Sequence, residues 1–412
     1  MKSVPFCQCL CALVLFGLLP SCSKKSPARE EIVPLPQLTS QNPLSDERRL
    51  RLEAFGKELA ASVREGDAVA FEKLFSHKRF GELTIQGMRM PSARYKRDFV
   101  SGFVKGLKRN EGGVSHAFLG QGYAFLRVLD YQGQHRVLCR LYDSETGVNY
   151  HAYACETSTD GRVRAIDFYN YASRESTSDA VRRLAVQAIA ANEDRSLVES
   201  MFSKKDALLA SEMKNVRRFG EVAQARKVDE GLKIYNALPE APQKEKSVMI
   251  MWTSLLAIRD EDERAYAEAL KLYADTFPND PSLTLMMVDY HIVTEDYPSA
   301  FAALDTIEED VGPDPALDVL RSNIALTQTD HEKALRLAER ALSADPTFED
   351  AHWSAIAAAS PLENYACMLA HLLPLRDTFD YEFDPAALRA EELYQKFMES
   401  PEAESFFGNP IE

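Results

Sequence analysis

An echo with a period of 34 residues in the second half of the chain restricts the fold more than any other feature. Asp280-Pro281 returns as Asp314-Pro315, and Asp296-Tyr297-x-x-Ala300 returns as Asp330-His331-x-x-Ala334. Asp345-Pro346 closes the second copy about where a third would open. After the Ser/Thr-rich joint Ser173 to Ser178, apolar residues keep a helical period to the end of the chain. A single helical hairpin cannot hide its apolar face, whereas several stacked hairpins share one continuous core. The echo therefore predicts an all-α array over residues 176–412, with 281–314 and 315–348 as its clearest units.

These residues resemble the tetratricopeptide (TPR) repeat, whose 34-residue unit is a pair of antiparallel helices. The resemblance implies that Asp296-Tyr297 and Asp330-His331 sit in the turn between paired helices. It implies that Ala300 and Ala334 are the small residues that let those helices approach. Ala341 and Pro346 then match the closing small residue and the proline between repeats. The pattern fades upstream, through Ser247 to Asp280 and Gly231 to Pro239. Downstream, Trp353 to Phe379 is helical with the motif eroded, and Leu388 to Phe407 is expected to pack as a closing helix. Arrays of this family present a concave groove to a peptide or another protein. Asp289, Asn323 and Gln328 are the candidate contact residues on the inner helices.

The other end of the chain reads as an address. Lys2 precedes an apolar run from Phe6 to Leu19, the length of a signal h-region and short for a membrane span. Leu19-Pro20-Ser21-Cys22 resembles the bacterial lipoprotein box, with Pro20 a departure from the usual small residue. That resemblance implies removal of residues 1–21 and acylation of Cys22, and more than one acyl chain makes a lasting anchor. Ser23, in place of an aspartate, favours the outer membrane facing the periplasm. Residues 22–45, with Lys24, Lys25, Pro27, Pro34, Pro36 and Pro43, read as an extended tether. Cys7, Cys9 and Cys11 leave with the signal, so their tight spacing is no metal site. Cys139 and Cys155 fall on adjacent predicted strands, as a disulfide pair or as two buried free thiols.

Between tether and array, residues 46–175 carry an α+β pattern. A helix is predicted from Ser45 or Asp46 to about Glu65, with Leu50, Leu52, Phe55, Leu59 and Val63 on its apolar face. Gly66-Asp67 breaks it before a short helix from Ala68 to about Phe75, and a third helix runs from Ser92 to Leu107. Four period-2 segments follow: Tyr123–Tyr131, His135–Tyr142, Asn149–Glu156 and Arg162–Tyr171. Gln132-Gly133, Asp143 to Gly147, and Thr159-Asp160-Gly161 supply the turns of an antiparallel meander. This order, with Gly66-Asp67 and the closing Gly161-Arg162-Val163…Asp167-Phe168-Tyr169, resembles the cone-shaped family of nuclear transport factor two and ketosteroid isomerase. The family implies helices on a curved sheet and hosts enzymes and non-enzymes alike. Its enzymes place an acid or a carboxylate–histidine pair in the mouth of the sheet. On strand alternation, Asp167 shares a face with Val163, Ala165, Tyr169 and Tyr171. It is either a proton-moving carboxylate in an apolar pocket or a hydrogen-bonded residue near the strand end. Seven of the 16 tyrosines fall between Tyr123 and Tyr171, in keeping with β-propensity and core packing.

Charge is unevenly distributed. The chain carries a net −15, while residues 176–412 hold 23 Lys and Arg against 44 Asp and Glu. That acidity excludes a nucleic-acid partner for the array, since phosphate binding needs positive charge. Arg89, Arg94, Lys96, Arg97, Lys105, Lys108 and Arg109 form a basic cluster. It reads as a solvated helix face, or as a contact for lipid head groups, an acidic partner or the acidic half of the same chain. No phosphate loop, zincin helix, nucleophile elbow or zinc-spaced cysteine pair occurs, and Gly120-Gln121-Gly122 enters a strand instead of leaving one. No cofactor, metal or catalytic residue is expected. The sequence thus points to a lipid-anchored envelope protein with a cone-like α+β domain and a helical-repeat array. Its expected role is that of an adaptor for another envelope protein; the alternative is a small-molecule-binding or proton-transferring cone domain docked by the array.

Overall fold

The computed structural model describes residues 44–86, 92–107, 115, 118–120, 122–131, 134–143, 147–157, 161–173, 175–182, 215–223, 225–259, 263–278 and 283–408. The signal, Cys22 and nearly all the tether lie outside the described residues, as do Arg89, Lys108 and Arg109. Two compact units divide between Val293 and Thr294, within the first expected repeat and not at residue 176.

The first unit opens with α1 (Asp46–Arg64), where the Ser45 hydroxyl accepts from the Arg48 amide as an N-cap. Leu52, Phe55, Leu59 and Val63 form its buried face, while Leu50, expected on that face, is 64 % exposed. Gly66, at φ 69°, ends the helix, and Asp67 caps α2 (Ala68–Leu74) through the Ala70 amide. A further helix that the apolar periodicity does not predict, α3 (His77–Thr84), precedes α4 (Ala93–Leu107). Four long strands follow in an antiparallel meander: β1 (Gly122–Tyr131), β2 (Gln134–Asp143), β3 (Gly147–Thr157) and β4 (Val163–Asn170). A two-residue strand, β5 (Glu175–Ser176), pairs with the end of β4, so two residues of the expected joint belong to the sheet.

Helix α1 lies on β1 and β2 because Gly56 has no side chain. A Cβ there would stand 2.6 Å from Phe125 Cε2 and 2.8 Å from Val137 Cγ1. The core between helices and sheet joins Phe55, Leu59 and Val63 to Phe71, Phe80, Phe103, Val137, Tyr153 and Phe168. Residues 177–182 are helical and are fastened back onto this domain. Arg182 donates to the carbonyls of Thr84 and Leu83, each at 3.0 Å. The α+β domain therefore extends beyond residue 175.

Beyond residue 182, the described residues of the first unit form helices at 215–223, α5 (Val228–Ala237), α6 (Glu240–Gln243), α7 (Lys246–Ala257), α8 (Glu263–Thr276) and α9 (Leu283–Val293). Tyr235 stacks on Trp252 at 4.6 Å, and Tyr266, Leu270 and Tyr273 of α8 pack against Met249 and Met286.

The second unit contains α10 (Tyr297–Val311), α11 (Pro315–Thr327), α12 (His331–Ala344), α13 (Glu349–Ala359) and α14 (Tyr365–Asp377). Helices α10, α12 and α14 begin at 297, 331 and 365, and α11 and α13 at 315 and 349, so both sets keep a 34-residue spacing. Glu295, Thr329 and Glu363 are left-handed, with φ of 58°, 57° and 54°. At Thr329 the turn is a Schellman motif: its amide donates to the Leu326 carbonyl and that of Asp330 to the Ala325 carbonyl. The same pair recurs at Glu363 and Asn364, onto Ser360 and Ala359. The expected closing helix from Leu388 to Phe407 is broken into α15 (Pro385–Ala390), a 3-10 turn (Phe397–Glu399) and α16 (Pro401–Phe407). Ser400 caps the last piece and Pro401 takes its first position, which suits the start of a helix and not its interior.

Candidate functional site

The interior of the sheet holds a buried polar cluster. On β3, His151 and Tyr153 share the core face two residues apart, and Tyr123 reaches them from β1. The Tyr123 hydroxyl lies 2.8 Å from His151 Nδ1 and 2.7 Å from the Tyr153 hydroxyl. Asn170 Oδ1 accepts from the Ala172 and Ser173 amides and from Asn149 Nδ2, which fixes both amide orientations. Asn149 Nδ2 also reaches His151 Nε2, at 3.3 Å, so Nε2 accepts and Nδ1 carries the proton. Burial pushes the His151 pKa down from 6.5 to about 3 and those of Tyr123 and Tyr153 up. All three groups are neutral at ordinary pH.

A neutral His–Tyr–Tyr chain can relay a proton only if a substrate can reach it. Here the relay is sealed: Tyr123, His151 and Tyr153 are at most 2 % exposed. Phe118 packs on His151 at 5.0 Å and on Tyr123 at 5.6 Å, and Phe168 packs on His151 at 4.8 Å. Aromatic rings occupy the space that a ligand would need. The sequence offered a signal for this cluster, the i,i+2 placement of His151 and Tyr153 on one strand face. Seven tyrosines over Tyr123 to Tyr171 make that spacing inconspicuous.

Asp167 is not part of the cluster, which corrects the expected placement. Cys155 pairs with Ala165 but Ala154 with Asp167, so Ile166 is an extra residue, a β-bulge. The bulge reverses the alternation: Ala165 and Phe168 both enter the core, and Asp167 faces the opposite side from Ala165. There it accepts from the Phe168 and Ser178 amides at 2.9 and 3.0 Å and from the Ser178 hydroxyl at 2.5 Å. Burial outweighs these bonds and lifts its pKa from 3.8 to about 6. Asp167 and His151 therefore do not form the expected carboxylate–histidine pair; a histidine of this domain that does meet a carboxylate is His77, whose Nε2 lies 3.0 Å from Glu72 Oε1.

Cys139 and Cys155 are free thiols, so the disulfide alternative does not hold. Cys139 lies opposite His151, four residues along β3 from Cys155. That offset is about 13 Å of extended chain, beyond the reach of a disulfide. Cys367 is also free.

Among the candidate contact residues, Asp289 is 2 % exposed and accepts from the Tyr266 hydroxyl at 2.7 Å. Asn323 is half-buried and accepts from Ser354 Oγ at 3.0 Å. Gln328 is exposed, but at a helix end. Asp289 and Asn323 are thus engaged within the fold. Of the repeat residues expected in turns, Asp296 and Asp330 are helix N-caps, whereas Tyr297 and His331 are already the first residues of α10 and α12. Asp296 caps α10 through the Ser299 amide and Asp330 caps α12 through the Lys333 amide. Ala300, Ala334 and Ala341 are fully buried, and Tyr297 and His331 are half-buried in the first turns of their helices. Pro346 is exposed, and its carbonyl accepts from His352 Nε2 at 3.3 Å.

His352 and His371 form a pair unnoticed in the sequence, Nδ1 to Nδ1 at 3.1 Å. Because His352 Nε2 donates to Pro346, its Nδ1 accepts and His371 donates. Burial lowers both pKa values, that of His371 to about 4. Among the described residues no cluster of three or more ligating side chains is arranged to hold a metal ion, and no helix is long and apolar enough to cross a membrane. No family model matches the chain, and no curated protein or solved structure matches it either.

Proposed function

We propose that the protein is a lipid-anchored component of a bacterial cell envelope, acylated at Cys22, that serves as an adaptor or assembly scaffold. Its partner is another envelope protein or a peptide, held on a C-terminal tetratricopeptide-like array. One observation carries the reading: helix starts at 297, 331 and 365 coincide with left-handed residues at 295, 329 and 363. Sequence echo and backbone geometry thus share one period. Asn364 caps α14 through the Cys367 amide as Asp330 caps α12, which adds a third copy. The α+β domain, read as a relative of the nuclear transport factor two cone, is a structural module in this proposal. The filled space around His151 and the separation of Asp167 from it weigh against a proton-transfer role.

Crosslinking in intact envelopes, followed by recovery of the anchored chain, tests the adaptor reading. The full chain should retain a defined partner that a chain ending at Val293 loses. The same partners with both chains, or none with either, would overturn it. Metabolic labelling with an alkynyl fatty acid tests the anchor, and Cys22→Ser should abolish the label.

A further inference from the structure

A groove of about 1040 Å³ runs between α3 and α4, remote in kind from the sealed interior of the sheet. Leu83, Val100 and Val104 supply its apolar lining, with the two valines one helical turn apart on α4. Cations border it from both helices. Arg79 is already neutralised, donating to Glu82 at 2.7 Å and to Glu156 at 2.7 and 3.0 Å. Lys78, Lys96, Arg97 and Lys105 are all exposed, and among the described residues none is held in an ion pair. Four uncompensated positive charges thus surround an apolar trough.

We propose that this groove binds an acidic amphipathic helix of a protein partner. Charge complementarity selects the sign: Glu or Asp along both edges of such a helix would meet the cations of α3 and α4. The shape selects a rod. The 15 residues of α4 extend about 22 Å, room for roughly four turns of a partner helix laid alongside. Its i, i+3, i+4, i+7 apolar stripe would fill the trough, the usual helix-in-groove mode. A flat bilayer would touch the cationic rims and leave the trough empty. The site belongs to the α+β domain and does not depend on the repeat array, so it stands or falls separately from the adaptor reading.

The test uses the full chain in detergent and a fluorescein-labelled 18-residue helical peptide with a leucine stripe flanked by glutamates. Fluorescence anisotropy should show saturable binding that weakens at least tenfold in Lys96→Glu/Arg97→Glu and in Val104→Asp. A peptide with lysines in place of the glutamates should bind the Lys96→Glu/Arg97→Glu chain better than it binds the wild type. Arg217→Glu/Arg218→Glu makes the same charge change at exposed positions elsewhere and should leave binding of the acidic peptide unaltered. Circular dichroism of each variant checks that the fold is retained. Equal loss in both double variants, or equal binding of acidic and basic peptides to the wild type, would overturn the proposal. So would a chain that ignores the peptide but binds phosphatidylglycerol vesicles through Lys96 and Arg97.

Discussion

Replacing Asp167 with Asn should remove a defined pH dependence from the stability of the α+β domain. The carboxylate is 8 % exposed, and its pKa rises from 3.8 to about 6 on folding. A raised value in the folded state means that folding favours the protonated acid. The stability it contributes is fully present below pH 3.8 and is lost as pH rises through 6. At about 1.4 kcal/mol per pH unit, the gap amounts to about 3 kcal/mol. Asn keeps the hydrogen bonds. Its Oδ1 accepts from the Ser178 and Phe168 amides as before, and its Nδ2 can donate to the Ser178 hydroxyl. Urea denaturation of wild type and Asp167→Asn at half-unit steps from pH 4 to 7.5 isolates the effect, because other titrating groups cancel in the difference. The stability of the wild type relative to the variant should fall by about 2–3 kcal/mol across that window. A difference that stays flat, or that rises with pH, would refute the assignment of burial as the dominant influence on Asp167. The same variant should retain full cellular function, and a loss of function with the fold intact would revive a chemical role for this carboxylate.

Gly56→Ala gains about 1 kcal/mol of helix propensity but drives a methyl into Phe125 and Val137, an overpacking cost of about 1–3 kcal/mol; thermal melts should show net destabilisation, and more of it for Gly56→Val. Arg321 is 4 % exposed and donates to Asp305, Glu308 and Asp318, while Arg340 also holds Asp318. Arg321→Met should cost about 2–4 kcal/mol in chemical denaturation, and the cost should shrink in an Asp318→Asn background if the charges are coupled. The His371 pKa falls from 6.5 to about 4 on folding, so its contribution is present above pH 6.5 and lost as pH falls toward 4. The melting temperature should drop between pH 6.5 and 5, and His371→Gln should flatten that drop; an unchanged slope would contradict burial as the dominant influence on His371.

The limits of the four long strands were legible because turn chemistry brackets them: Gln132-Gly133 and the glycines at 147 and 161 stop the alternation within a residue or two of the observed ends, whereas two-residue β5 carries no such signal. Helix α3 was not, since eight residues starting at His77 and interrupted by Gly81 hold too few periodic positions to stand out. The bulge at Ile166 was equally invisible. An extra residue changes no residue type, yet it moves Asp167 to the other face and takes the supposed active carboxylate away from the only histidine on β3. The third copy of the repeat escaped because Asn364 replaces the aspartate, although Asn caps a helix as well as Asp does. Leu50 shows the opposite error: a helical period one position too generous counted a solvent-facing leucine as core.

The attachment of residues 177–182 has a mechanical consequence. Tension applied at residue 182 itself arrives first at the Arg182 guanidinium, clamped on two carbonyls of α3, while Lys246 makes a separate tie to the Ser173 carbonyl at 3.0 Å. Only when that clamp yields does load pass to the Ser178–Asp167 bonds, and only then to the two-residue ladder of β5. The segment works as a strain relief, like the grip where a cable enters its housing, and a pull at residue 182 would spend itself on four hydrogen bonds before unzipping the meander.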